Sequence, residues 1–331
     1  MADAAVAQKQ KRTLMGANAM QKLLAFASLI AMIIIFSVAS PYFFEFDNLV
    51  AILLATSVTG ILAIAVTFVI ITSGIDLSVG TLMTFCSVMA GVFVTFWRLP
   101  VGLGVVAGIA TGALAGLTSG VLIAKFRIPP FIATLGVMMI AKGLSLVVSG
   151  LKPIYFNDNP AFTAVSMGSV LNSIIPGLQI PNAVLIFFGV AIVASLALNY
   201  TVFGRYTYAL GSNEEAVRLS GVNADRWKMM VYMVGGGIVG VAGVVMAARL
   251  NSAQPALGQG YEFDAITAAV IGGTSLSGGE GTILGTVIGA FIMSVLVNGL
   301  RILSVPQEWQ TVVTGVIVIF AVYVDILRRR K

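Results

Sequence analysis

The chain has 331 residues, 58% of them hydrophobic and only 10% charged, against roughly 25% charged in ordinary soluble domains. So few charges cannot cover the surface of a soluble protein of this length, which excludes a secreted domain, a cytosolic enzyme and a disordered chain. What remains is an all-α polytopic membrane protein. With no histidine and one cysteine, Cys86, it has no internal disulfide, no Cys-based or His-dependent metal site and no His-containing triad. The formal charge of +6 does not argue for nucleic acid, because the basic residues sit where membrane topology would put them.

Taken in chain order, the apolar runs predict about ten spans, each needing roughly 20 residues to cross the hydrocarbon core. They fall at about 23–43, 49–72, 79–97, 99–124, 130–149, 182–200, 229–248, 263–277, 282–300 and 309–327. Alternate connections then carry most of the lysine and arginine: Lys9, Lys11, Arg12 and Lys22, then Lys125 and Arg127, then Arg205, Arg218, Arg226 and Lys228, and finally Arg328, Arg329, Arg330 and Lys331. Cytoplasmic loops are enriched in these residues, so both termini are expected inside. Residues 1–22 and 328–331 read as cytoplasmic tails around a single transmembrane domain, 23–327. An alternative for the first span is a cleaved signal peptide, with small residues at Val38, Ala39 and Ser40. Its apolar run is long for that role.

Sliding the chain by 177 residues lays Gly104, Gly108, Gly112 and Ala113 over Gly281, Gly285, Gly289 and Ala290. Pro129, Thr134 and Ile140 fall on Pro306, Thr311 and Ile317, and spans two to five on spans seven to ten. The expectation is two five-helix halves, about 23–149 and 182–327. An odd number of spans per half makes them inverted, a recurrent transporter design. In the fourth span Gly104, Gly108, Gly112, Gly116 and Gly120 line one face, which allows close helix packing inside the subunit or against a second copy. Gly281, Gly285 and Gly289 repeat the pattern in the second half.

Two segments interrupt the spans. GIDLSVG at 74–80 separates spans two and three, and GGTSLSGGEG at 272–281 cuts the eighth span short. Irregular backbone at membrane depth is tolerated only against protein or a watery cavity. Both breaks are therefore expected on a transport path, the alternative being ordinary turns. Asp76, Ser78, Thr134, Thr274, Ser275 and Asn298 are the candidate path-lining groups. Lys142 sits within a span, where a charge marks function, snorkels or finds a carboxylate.

Four stretches make the chain recognisable: TSGIDLSVG at 72–80, IPPFIATLGVM at 128–138, ALGSNEEAVRLSGVN at 209–223 and AVIGGTSLSGGEGTILGTVIGA at 269–290. With them the chain, from about residue 45 to 325, resembles the permease subunits of ribose-type ABC monosaccharide importers. The resemblance implies a homodimer in the bacterial inner membrane, a cytoplasmic ATPase and a periplasmic sugar-binding protein, with membrane lipid around the spans. ATP and magnesium would be bound by the ATPase. This chain carries no GxxxxGK[ST] phosphate loop, so no catalytic centre and no cofactor are expected in it. By the same resemblance the 201–228 loop is the element that couples to the ATPase, through Gly211, Asn213, Glu214, Glu215, Ala216, Arg218, Leu219 and Gly221. Its residues predict a short helix at 211–222. Asn213 can cap it, with Ala216 at the third helical position, Glu214 and Arg218 form an i, i+4 pair, and Gly221 ends it. The alternative is a solvated connector. The competing functional classes are an ion-coupled secondary transporter, with Asp76, Lys142 and Asp264 as its ionisable groups, and an intramembrane enzyme.

Overall fold

The computed structural model describes residues 23–329, with side chains to residue 323. The expected tail 1–22 and the last basic residues lie outside the described residues. Helices dominate, in the order α1 (Leu23–Ala39), α2 (Phe46–Ile71), α3 (Val79–Gly91, prolonged by a π-turn over Val92–Phe96), α4 (Val101–Ala124) and α5 (Pro130–Ser149). Then follow α6 (Pro160–Met167), α7 (Val170–Ile174), α8 (Asn182–Tyr200), α9 (Val202–Ser212) and α10 (Glu214–Leu219). The chain ends with α11 (Ala224–Leu250), α12 (Tyr261–Ile271), α13 (Ile283–Ile302) and α14 (Gln307–Arg329). The one small sheet among the described residues pairs β1 (Ile154–Tyr155) with β2 (Ser252–Ala253), antiparallel.

Seven of these helices are long and apolar enough to cross a membrane: α2, α3 with its π-turn, α4, α5, α8, α11 and α13. A helix also overlaps each of the other three expected spans, as α1, α12 and α14. α2 is the central column. Every residue from Gly60 to Ile71 is buried, the pattern of a helix that is apolar all round and surrounded by others. It touches α8, α11, α12 and α13.

α11 packs along α4 over most of its length, and glycine decides how closely. A methyl group on Gly112 would stand 2.1 Å from the Gly236 carbonyl oxygen, and one on Gly116 would stand 2.2 Å from that of Tyr232. The two backbones are therefore in contact, as small-residue faces permit. Gly120 meets Met229, while Gly104 and Gly108 lean on α3 through Val94 and the Cys86 carbonyl. The whole stripe is thus covered within the chain. On α13, Gly285 and Gly289 lie on Gly272 and Ala268 of the α12 region in the same way, and Gly281 lies beside Ile71 and Thr274.

One span differs from its expected form. Irregular backbone was expected only after the eighth helical segment, but it also precedes it. Ser252 pairs with Tyr155, whose carbonyl accepts from Thr95 at the far end of α3. Six residues later Gly258 lies against Gly80 at the start of α3, where a methyl group would be 1.9 Å from the Gly80 oxygen. At 1.5 Å per helical residue, Gly80 and Thr95 are about 22 Å apart. Residues 252–258 therefore descend alongside α3, and α12 continues as an eleven-residue helix.

Candidate functional site

The first break begins where α2 ends. Ser73 takes a left-handed φ of 61°, which turns the chain, and Gly74 donates its amide back to the Val69 carbonyl. Asp76 is 4% exposed. Its Oδ1 accepts from the Ser78 amide at 2.8 Å and the Ser78 hydroxyl at 2.6 Å, so it organises the entry to α3. Thr134 on α5 fixes the same loop from the side. Its hydroxyl accepts from the Leu77 amide at 3.2 Å and donates towards the carbonyls of Pro130 at 2.9 Å and Ile75 at 3.3 Å. Asp76, Ser78 and Thr134 are thus brought together, with Oδ1 of Asp76 and the two hydroxyls engaged by protein.

The second break is built on glycines with positive φ: Gly273 at 95°, Gly278 at 83° and Gly279 at 76°. These values favour residues without a β-carbon. The two breaks touch. The Gly279 amide donates to the Ile71 carbonyl at 2.8 Å, and the Ser73 hydroxyl reaches the Ser277 carbonyl at 2.8 Å. The end of α9 closes the junction. Ser73 also bonds the Gly211 carbonyl at 3.3 Å, and a methyl group on Gly211 would fall 1.7 Å from the Ile71 oxygen. Tyr208 donates to the Gly281 carbonyl at 2.8 Å. Three segments remote in sequence, 71–73, 208–211 and 277–281, therefore share one contact.

Thr274 and Ser275 are buried at this junction, and their hydroxyls have no hydrogen-bond partner in the protein. The Tyr232 hydroxyl, beside Gly74, is in the same condition. Native proteins leave few buried polar atoms unpaired, and each such group costs about 1–3 kcal/mol. The Ser119 and Ser166 hydroxyls and the Asn298 side-chain oxygen are unpartnered in the same way elsewhere in the protein. Asn298 stands apart. It bonds Asn48 at 2.9 Å, near the start of α2, and about 35 Å of helix separates that point from Ile71.

The 201–228 loop folds as two helices rather than one. α9 runs to Ser212, Asn213 is extended, and α10 covers only Glu214–Leu219. Asn213 and Gly221 do what their residue types imply: the Asn213 side chain accepts from the Ala216 amide at 2.9 Å, and Gly221 has a φ of 81° just past the helix end. Glu214 bonds Arg218 at 2.8 Å and Lys228 at 2.6 Å. Arg218 also meets Asp225, which has Arg127 at 3.7 Å. Burial alone would raise the Glu214 carboxyl above its usual range, but hydrogen bonds from Lys228 and Arg218 outweigh it and hold it below. Val217 is buried against Leu210 and Ala224. Leu219, at the helix end, is 83% exposed, and Glu215 is exposed as well. One face of α10 is anchored while the other is presented outward.

The sequence reading missed Thr84 and Gln259. Lys142 donates to Gln259 at 3.2 Å. These two residues line a cleft with Thr81, Thr84, Pro255, Ala256 and Gly258. The available signal was the PALGQG run at 255–260, whose glycines allow the 252–260 segment to press on α3.

A family model described as the permease component of the branched-chain amino acid transport system matches residues 48–322. The chain belongs to this permease family. The ribose import permease protein RbsC of Escherichia coli (strain K12) is 43% identical over 90% of this chain and 91% of its own length. RbsC of Haemophilus influenzae is 40% identical over 91% of this chain and 92% of its own. The fructose import permease protein FrcC of Rhizobium meliloti is 37% identical over 86% and 79%. No solved structure matches the chain. A permease family together with seven apolar helices makes this a multi-pass membrane protein of a transport system.

Proposed function

We propose that this chain is the membrane permease subunit of an ATP-driven ABC importer that passes a ribose-like monosaccharide into the cytoplasm by alternating access. The observation that carries this reading is the 43% identity over 90% of the chain with a ribose import permease. The family description names branched-chain amino acids, but a zwitterion needs a partner for each of its charges. The junction offers neutral hydroxyls, on Thr274, Ser275 and Tyr232, which suit a neutral polyol.

The working unit is a homodimer in the bacterial inner membrane, with a cytoplasmic ATPase that binds ATP and magnesium and a periplasmic sugar-binding protein. Residues 23–327 form one domain of ten spans, with the tails 1–22 and 328–331 and the 201–228 loop cytoplasmic and 150–181 periplasmic. The halves are inverted repeats. Adding 177 to the bounds of α2, α4 and α5 gives 223–248, 278–301 and 307–326, close to α11, α13 and α14. The packing pairs correspond as well: α11 with α4 matches α2 with α13, and α3 with α4 matches α12 with α13.

In the transport cycle, the ATPase moves α10 through its presented face. α9 ends directly on Ile71 and Gly279, so a displacement of the loop reaches both breaks without an intermediary. Thr134, Asp76 and Ser78 shape the first break, and Thr274 and Ser275 offer the passing sugar weak partners. Asn298 holds α13 to α2. The test is purification of the tagged chain with its ATPase. Hydrolysis should rise on adding sugar-loaded binding protein. A chain that purifies without any ATPase, yet still supports sugar uptake, refutes the subunit assignment.

A further inference from the structure

Lys142 is the thirteenth of the 20 residues of α5, close to the middle of an apolar helix. Among the described residues no carboxylate lies within ion-pair distance of it. Its partner is a neutral amide, Gln259, at 3.2 Å. Lys142 is half-buried and Gln259 is exposed, so the pair lies at the chain's surface. A lysine at the centre of a span costs roughly 2.5–3.5 kcal/mol against lipid. From the helix middle its side chain is too short to reach the headgroups, and here its nitrogen bonds another part of the protein. The ammonium faces the cleft that it shares with Gln259.

The opposing wall is the 252–260 segment, which comes down beside α3. It is held there by backbone contact: a methyl group on Gly80 would be 2.2 Å from the Gly258 oxygen and 2.4 Å from a Glu262 carboxylate oxygen. Thr84, one turn further along α3, donates weakly to Gly80 at 3.4 Å and keeps acceptor capacity towards the cleft. The cleft has a cavity volume of about 10 Å³, room for about one water molecule and far below the roughly 300–1,000 Å³ of pockets that bury a small ligand. A sugar is not enclosed while Lys142 and Gln259 hold each other.

We propose that Thr84, Lys142 and Gln259 form a hydroxyl-binding station for a neutral monosaccharide on the periplasmic side of the path, latched shut by the Lys142–Gln259 hydrogen bond. The proposal rests on the importer reading above. An ammonium with three donors, an amide with both donor and acceptor, and a hydroxyl are the groups that vicinal sugar hydroxyls can satisfy. The latch is weak because one partner is neutral, so a sugar can replace the bond with bonds of its own.

The test uses the full permease with its ATPase and binding protein, reconstituted in vesicles. The permease carries Cys86→Ser to remove its only thiol and Thr84→Cys as reporter. A membrane-impermeant thiol reagent is added on the periplasmic side. With Lys142 and Gln259 intact, labelling should be slow. Gln259→Leu and Lys142→Met each cut the latch and should speed it at least tenfold. Gln259→Glu turns the latch into an ion pair and should slow both labelling and ribose uptake at least tenfold. Equal labelling rates in all four proteins overturn the latch, as does Gln259→Glu transporting at the parent rate. Absence of ribose, fructose or xylose uptake by the wild-type complex refutes the importer reading instead, and the labelling rates still decide the latch.

Discussion

Gly211→Ala places one methyl group where the account has most to lose. The new carbon would stand 1.7 Å from the Ile71 oxygen and 2.5 Å from the Gly279 nitrogen, and both are backbone atoms. Ordinary contact needs about 3.4–4 Å, so the α9 end and the two breaks must part by more than an ångström. Overpacking of this kind costs about 1–3 kcal/mol. The parting also breaks the 2.8 Å bond from Gly279 to Ile71, and leaving such groups unpaired costs about 1–3 kcal/mol more. At 1.4 kcal/mol per factor of ten, a penalty of about 2 kcal/mol on one transport state lowers its occupancy roughly 25-fold. The assay is uptake of labelled ribose by cells lacking their own ribose permease, normalised to the amount of tagged protein in the membrane. Gly189→Ala on α8 is the control, since nothing lies within 4 Å of its added carbon. The expected result is normal insertion of both variants and at least a tenfold loss of uptake for Gly211→Ala alone. Wild-type uptake by Gly211→Ala would refute the idea that the loop acts on the breaks through this contact.

Thr134→Val keeps the shape of the side chain but removes its bonds to Leu77 and Ile75. It should lower the thermal midpoint of the purified protein by the equivalent of about 1–3 kcal/mol, with Thr134→Ser closer to wild type; equal midpoints would show the loop is held otherwise. The Glu214 carboxyl is held below its ordinary value, so its contribution is fully present above that value and fades as pH falls through the folded-state one. Protection of the α10 amides, taken relative to the intrinsic exchange rate at each pH, should therefore fall as pH is lowered through the carboxylate range, and Glu214→Gln should weaken that pH dependence, leaving the part due to Asp225. In the Cys86→Ser background, an impermeant thiol reagent on intact cells should reach a cysteine at Asp158 and miss one at Asn213; the opposite pattern reverses the orientation.

The features legible in the sequence are those that composition alone imposes. Apolar runs of sufficient length gave the helices, and glycines four residues apart gave the α4 face that meets α11. The polar, glycine-rich 272–281 segment announced a short α12. The 252–260 descent was not legible, because PALGQG has the composition of an ordinary outer turn; only its contact with Gly80 reveals its depth. Lys142 drew attention as a charge, but its partner is an uncharged side chain 117 residues away, which no charge pattern encodes. Asn298 was grouped with the path by residue type alone, and residue type does not report position along a helix. A short helix capped by Asn213 and ended by Gly221 was expected in the 201–228 loop, and α10 has those ends. The helix before it, α9 over Val202–Ser212, was not expected; the extended Asn213 that caps α10 also ends α9.

The central claim is transport of a neutral sugar driven by ATP in a partner subunit. It is tested most directly in sealed vesicles containing the permease and its ATPase, with loaded binding protein on the periplasmic side and ATP on the other. Labelled ribose should accumulate on the ATP side, only when all three proteins and ATP are present, and should be indifferent to dissipation of proton and sodium gradients. Accumulation without ATP that follows an imposed ion gradient would contradict the account and mark the chain as an ion-coupled carrier.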